Sequence, residues 1–186
     1  MCCRRRMLQL ELVNVVHLKG NSKTGDRFDM RLFVLILLLF FTALVHADAQ
    51  VDRLLQAEEE PAGVVFEILE DDDDALGWAL PLVVRLSAQL RQRFADLPIV
   101  VVTHGREQFG LLSEDADGLM APIHDSARQL RSEGVDLHVC GVHASWDGYT
   151  PEDFPDYVDV SASGPAQIND YRNLGYELIL LQPEGY

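Results

Sequence analysis

The chain has 186 residues, 48% of them hydrophobic, which is enough for one domain with its own core and too apolar for a disordered acidic protein. Fifteen Lys and Arg against thirty Asp and Glu leave a formal charge of −15, which repels a phosphate backbone and argues against nucleic acid as a partner. Three cysteines without C-x-x-C spacing support neither a disulfide scaffold nor a zinc ribbon.

Leu32 to Val45 is a run of fourteen residues whose only polar member is Thr42, and it follows Met30 and Arg31. Its length suits the apolar core of a signal peptide, since a membrane-spanning helix needs about 20 residues. Val45-His46-Ala47 and Ala47-Asp48-Ala49 both carry small residues where signal peptidase reads them. Residues 30–47 are therefore expected to be a signal peptide, cleaved near Ala47 or Ala49, with the protein periplasmic or secreted and touching membrane only through that segment. A buried core helix and an uncleaved anchor are the alternatives. Residues 1–29 read as an upstream extension outside the fold, with Met30 a second start. Cys2 and Cys3 precede the apolar run, the wrong side for lipidation.

Residues 48–186 number 139 and contain eight Arg, no Lys, 27 acids and one cysteine, Cys140, giving −19. A single thiol in an exported domain is buried and inert, paired between chains, or kept for chemistry. Residues 48–61 are polar, include Glu58-Glu59-Glu60 before Pro61, and read as a flexible lead-in to a domain over 62–186.

Gly63 to Leu69 is a nearly continuous apolar run rich in β-branched residues, the pattern of a strand covered on both faces. Glu70 and Asp71 to Asp74 follow. Five adjacent carboxylates cannot share a core, and they lack the glycine turn and spaced ligands of a calcium loop, so they read as a solvated loop. Leu82, Leu86, Leu90 and Phe94 recur every four positions and predict an amphipathic helix from Trp78 to Phe94, with Pro81 in its first turn.

Pro98 to Thr103 is a second strand, ending at His104-Gly105-Arg106, and Glu107 to Leu112 reads as a short helical stretch. Ile123, Ala127 and Leu130 predict a helix over Pro122 to Glu133, closed by Gly134. Val135 to Cys140 alternates, placing Val135, Leu137 and Val139 on one face and Asp136, His138 and Cys140 on the other. Gly141 then opens a loop carrying His143, Trp146 and Tyr149. Thr150-Pro151-Glu152-Asp153 has the grammar of a helix start covering Phe154. Tyr157 to Val160 is a short fourth strand, Ser163-Gly164-Pro165 opens a last helix through Leu174, and Tyr176 to Leu181 is the fifth strand. Alternating strands and helices predict a single α/β domain, a mostly parallel five-stranded sheet flanked by helices with right-handed crossovers.

Ligands of open parallel sheets bind beyond the carboxyl ends of the strands, where His104, Cys140 and His143 fall. No G-x-G-x-x-G follows the first strand and no G-x-x-x-x-G-K-[ST] exists, so neither a dinucleotide nor a nucleoside triphosphate is expected. Cys140 has two readings, a buried small hydrophobe or a thiol activated by a nearby histidine or helix terminus. His104 and His143 as a metal pair lack a recognisable ligand spacing, and no cofactor is expected. His124 and His138 read as ordinary polar residues. Trp78 and Trp146 read first as core, with Trp146 the better candidate for lining a pocket, and Arg106 either attracts an anion or offsets neighbouring carboxylates.

Several segments together resemble the DsrE/DsrF-like family of sulfur-relay proteins: Val100 to Gly105 followed by Leu111-Leu112, Leu137-His138-Val139-Cys140-Gly141, Pro151 to Phe154, Val158-Asp159-Val160, Ser163-Gly164-Pro165-Ala166-Gln167-Ile168 and Gly175-Tyr176-Glu177-Leu178-Ile179. The resemblance spans roughly Gly63 to Leu181. It implies a small α/β sandwich, assembly into homo- or hetero-oligomers, and sulfane sulfur carried as a persulfide on Cys140, exchanged with a donor or acceptor protein or a small sulfane-sulfur compound. His104 or His143 would tune or orient the thiol. The relay members of that family are cytoplasmic, whereas this chain is expected to be exported. A non-catalytic periplasmic ligand-binding or assembly protein with a structural Cys140 is the alternative. A cysteine hydrolase with a histidine base is a third reading, without a nucleophile-elbow motif behind it.

Overall fold

A computed structural model describes residues 47–183. The upstream extension, Met30, Cys2, Cys3 and nearly all of the expected signal peptide lie outside the described residues. Five strands form one all-parallel sheet: β1 (Gly63–Ile68), β2 (Ile99–Thr103), β3 (Val135–Cys140), β4 (Asp159–Ser161) and β5 (Tyr176–Leu180), in the order β4-β3-β2-β1-β5. The α/β class and the parallel sheet are those expected from the sequence.

The first helix, α1 (Ala47–Leu55), corrects the expected flexible lead-in. Ala47 and Val51 are buried, and Leu54 and Leu55 pack against the core, so a stripe at helical spacing exists beneath the polar composition. Asp48 accepts from Arg85 at 2.9 Å. The helix α2 (Leu76–Arg93) starts two residues earlier than predicted, which puts Pro81 in its second turn, and α3 is Ala121–Ser132. These three helices pack on one face of the sheet with Val64, Phe66, Ile68, Val101, Leu137 and Val139, forming the main core.

The stretch after β2 is a 3₁₀ helix, Arg106–Leu111, and a second correction follows β3: the expected loop is a short helix, α4 (Gly141–Trp146). Pro151–Asp153 is a 3₁₀ turn closed by a reciprocal Thr150–Asp153 capping box, and β4 begins at Asp159 rather than Tyr157. One helix, α5 (Gly164–Asn173), crosses the opposite face, carrying the chain from the β4 edge to the β5 edge. There Ile168 covers Val65, Val100 and Val102. Gly134 and Gly175, at φ +74° and +89°, end α3 and α5 in the left-handed conformation that glycine adopts without strain.

Two histidines are expected to couple folding to pH. His124 is fully buried on α3, its Nδ1 2.5 Å from the Tyr157 hydroxyl, which accepts from Arg128 at 3.1 Å. The tyrosine proton is thereby directed at Nδ1, and the neutral imidazole is the form that fits. Burial, reinforced by Arg128, lowers the His124 pKa, and burial also lowers that of His138, against the opposing pull of Asp159 and Asp136. An unfolded chain then binds more protons below about pH 6.5, the ordinary histidine value. Their contribution to stability is complete above that pH and is lost as pH falls towards the depressed folded values. Urea denaturation from pH 7.5 to 5 should show this loss, and His124→Gln should flatten it; an unchanged slope in that variant would assign the effect elsewhere.

Candidate functional site

Alternation along β3 places Cys140 with His138 on the α5 face, as the sequence predicts, and the residue is 5% exposed. The β2–β3 register pairs Val102 with His138, so His104 stands level with Cys140 one step beyond the ladder. Gly164, first residue of α5, lies over both: a Cβ placed there would sit 2.6 Å from His104 Cβ and 3.4 Å from Cys140 Cβ. Only glycine lets the helix terminus approach so closely.

The Nε2–H of His104 donates to the Glu67 carboxylate at 2.8 Å, with both side chains largely buried. That bond leaves Nδ1 as the bare nitrogen of the neutral ring. His143, on α4, donates from Nδ1 to the His104 carbonyl at 2.8 Å, leaving its Nε2 bare. Its ring packs between Phe109 and Trp146, at centroid distances of 5.4 and 5.3 Å. The three residues singled out from sequence thus converge on one rim, His104 against the same glycine as the thiol and His143 tied to the His104 backbone.

Three further residues build this rim. Glu67 is the one acid in an otherwise apolar strand, a signal legible in the sequence. Glu107 is fully buried; its carboxylate accepts from the Thr103 hydroxyl and from the backbone N–H groups of His104 (3.1 Å), Gly105 (3.0 Å) and Glu70 (2.8 Å). It knots the loops after β1 and β2 together. Burial, then the neighbouring Glu107, Asp71 and Asp72 carboxylates, raise the Glu70 pKa. Gln108, also fully buried, accepts the Cys140 N–H through Oε1 at 2.8 Å, fixing the strand end that carries the thiol. Gln108→Leu orphans that N–H and should cost about 1–3 kcal/mol, measurable by urea denaturation, and Gln108→Glu, which keeps the acceptor but buries a carboxylate facing one donor, should cost more.

Other candidates are placed elsewhere. Trp78 packs against the core, as expected. Trp146, expected in the core or a pocket wall, is 75% exposed, because α4 is one short helix whose buried face is taken by Ala144. Arg106 pairs with Asp73 at 3.1 Å and so offsets a carboxylate. His138 meets the Tyr171 hydroxyl at 3.0 Å. Among the described residues, no three of His, Cys, Asp and Glu converge as a metal site. An open cleft of about 250 Å³ lies beside the rim, walled by Asp73, Arg106, Phe109, Asp147 and Tyr149 among others, and Cys140 does not line it.

The arrangement sets a shielded thiol and the His104 side chain against one glycine, with the His143 ring tied to the His104 backbone. No family model matches the chain, and no curated protein matches it. Among solved structures, it is similar to the protein of unknown function MTH1491 from Methanobacterium thermoautotrophicum, at 26% identity and a TM-score of 0.52, covering 63% of this chain and 96% of that one. It is also similar to the ychN protein from E. coli, at 14% identity and a TM-score of 0.49, covering 64% of this chain and 98% of that one.

Proposed function

We propose that this protein is an exported DsrE-like sulfur carrier or sulfurtransferase that holds sulfane sulfur as a persulfide on Cys140. The observation carrying the reading is the meeting of Cys140 and the Glu67-bonded His104 beneath Gly164. The parallel α/β fold agrees with what the DsrE/DsrF resemblance implies, and the fold likeness to MTH1491 supports it.

The step requires no net oxidant. The Cys140 thiolate attacks the outer sulfur of a donor persulfide; the donor S–S bond breaks, the donor leaves as a thiolate, and a new S–S bond forms on Cys140. An acceptor thiolate then attacks that outer sulfur and Cys140 departs as thiolate. In this reading His104, its tautomer set by Glu67, takes the thiol proton through Nδ1, and His143 orients the His104 backbone. A single cysteine suffices, because no resolving thiol enters either step.

Intact-mass analysis after exposure to a small persulfide should show the mass of one added sulfur on the wild-type protein and none on Cys140→Ser. No adduct on the wild type, or an equal one on the serine variant, overturns the proposal. The 5% exposure of Cys140 favours one second reading, a binding or assembly protein in which the thiol only packs. A thiol that alkylates only after denaturation would select it. Export itself is tested by the N-terminus of the natural product, expected at Asp48 or Gln50.

A further inference from the structure

We infer that the exposed Val142–Trp146 face of α4 docks a partner protein presenting a basic patch around an apolar side chain; the inference rests on the thiol reading, since that partner would exchange sulfur with Cys140. Val142 and Trp146 stand one helical turn apart on the helix that begins directly after Cys140, at 45% and 75% exposure. An exposed leucine needs no explanation, but a tryptophan beside a second apolar side chain is the residue type that most often anchors an interface. Trp146 also touches the His143 ring, so a partner seated on it lies one side chain from the rim.

Charge selects the partner. No Lys or Arg occurs between Arg131 and Arg172, and Asp147, Glu152, Asp153 and Asp156 are exposed within ten residues of Trp146. The flanking cations are committed: Arg131 binds Asp136 and Asp159, and Arg106 is held by Asp73. An apolar knob in an unneutralised acidic field attracts a basic surface and repels both acidic proteins and a second copy of this chain.

The test is fluorescence anisotropy with two labelled decapeptides, lysine-rich and glutamate-rich, each with a central leucine pair. The lysine peptide should bind the purified protein, weaken in about 0.5 M salt, and lose at least about tenfold in affinity on Trp146→Ala or Val142→Ser. Both substitutions are at exposed positions. Equal binding of the two peptides, or unchanged binding by Trp146→Ala, overturns the inference. So does concentration-dependent self-association in sedimentation that Trp146→Ala abolishes, which would make a second copy the occupant. Binding needs no sulfur, so loss of the mass adduct with intact peptide binding strikes the persulfide reading and leaves the docking face standing.

Discussion

Glu107→Ala should cost about 3–5 kcal/mol of folding stability, the largest effect expected of any single side chain here. Burying a carboxylate costs several kcal/mol, and hydrogen bonds to a charged acceptor return about 1.5–3 kcal/mol each. With four donors the balance favours the native state. Alanine removes the acceptor and leaves the N–H groups of Glu70, His104 and Gly105 and the Thr103 hydroxyl without their partner. Two of those four belong to residues 103–104, so the loss reaches the site as well as the fold. Urea denaturation measures the first and persulfide uptake the second. Glu107→Gln retains Oε1 and should cost less than half as much. A loss below about 1 kcal/mol in Glu107→Ala would mean that water replaces the carboxylate without penalty.

Gly164→Ala tests the other side of the rim. The added methyl would stand 2.6 Å from His104 Cβ, an atom too close to the backbone to swing aside, so α5 must lift. Overpacking of this kind costs about 1–3 kcal/mol. Because the same glycine covers Cys140, the lifted terminus should let the thiol alkylate several times faster in the folded protein, with persulfide uptake impaired as His104 loses its place. Alkylation at the wild-type rate would show that Gly164 is not what shields the sulfur.

How much of this was legible beforehand follows from which interactions are local. Apolar periodicity located all five strands, and Val135 to Cys140 was legible to the residue because its alternation is strict. The β4 boundary slipped because Tyr157 and Val158 are as apolar as strand residues yet form a turn over the core. The helix at Ala47–Leu55 was hidden by Glu58-Glu59-Glu60, whose charge dominates composition while Ala47 and Val51 supply the contacts. At the site, Cys140, His104 and His143 were visible as reactive types at strand ends. Glu107 and Gln108 were not, since only the tertiary fold reveals that a glutamate in a polar loop is fully buried, or that an amide accepts from a residue 32 positions away. Trp146 misled because an aromatic residue is ordinarily assigned to packing.

The strand order has a consequence for how the protein comes into being. The fifth strand lies beside the first, and the helix that caps the thiol immediately precedes it in the chain. Until Tyr176–Leu180 has been synthesised, β1 presents an open edge, so the sheet cannot close on a shorter chain even though α5 and Gly164 are already made. A chain cut short before Gly175 would keep α5 but display a bare β1 edge, which invites aggregation.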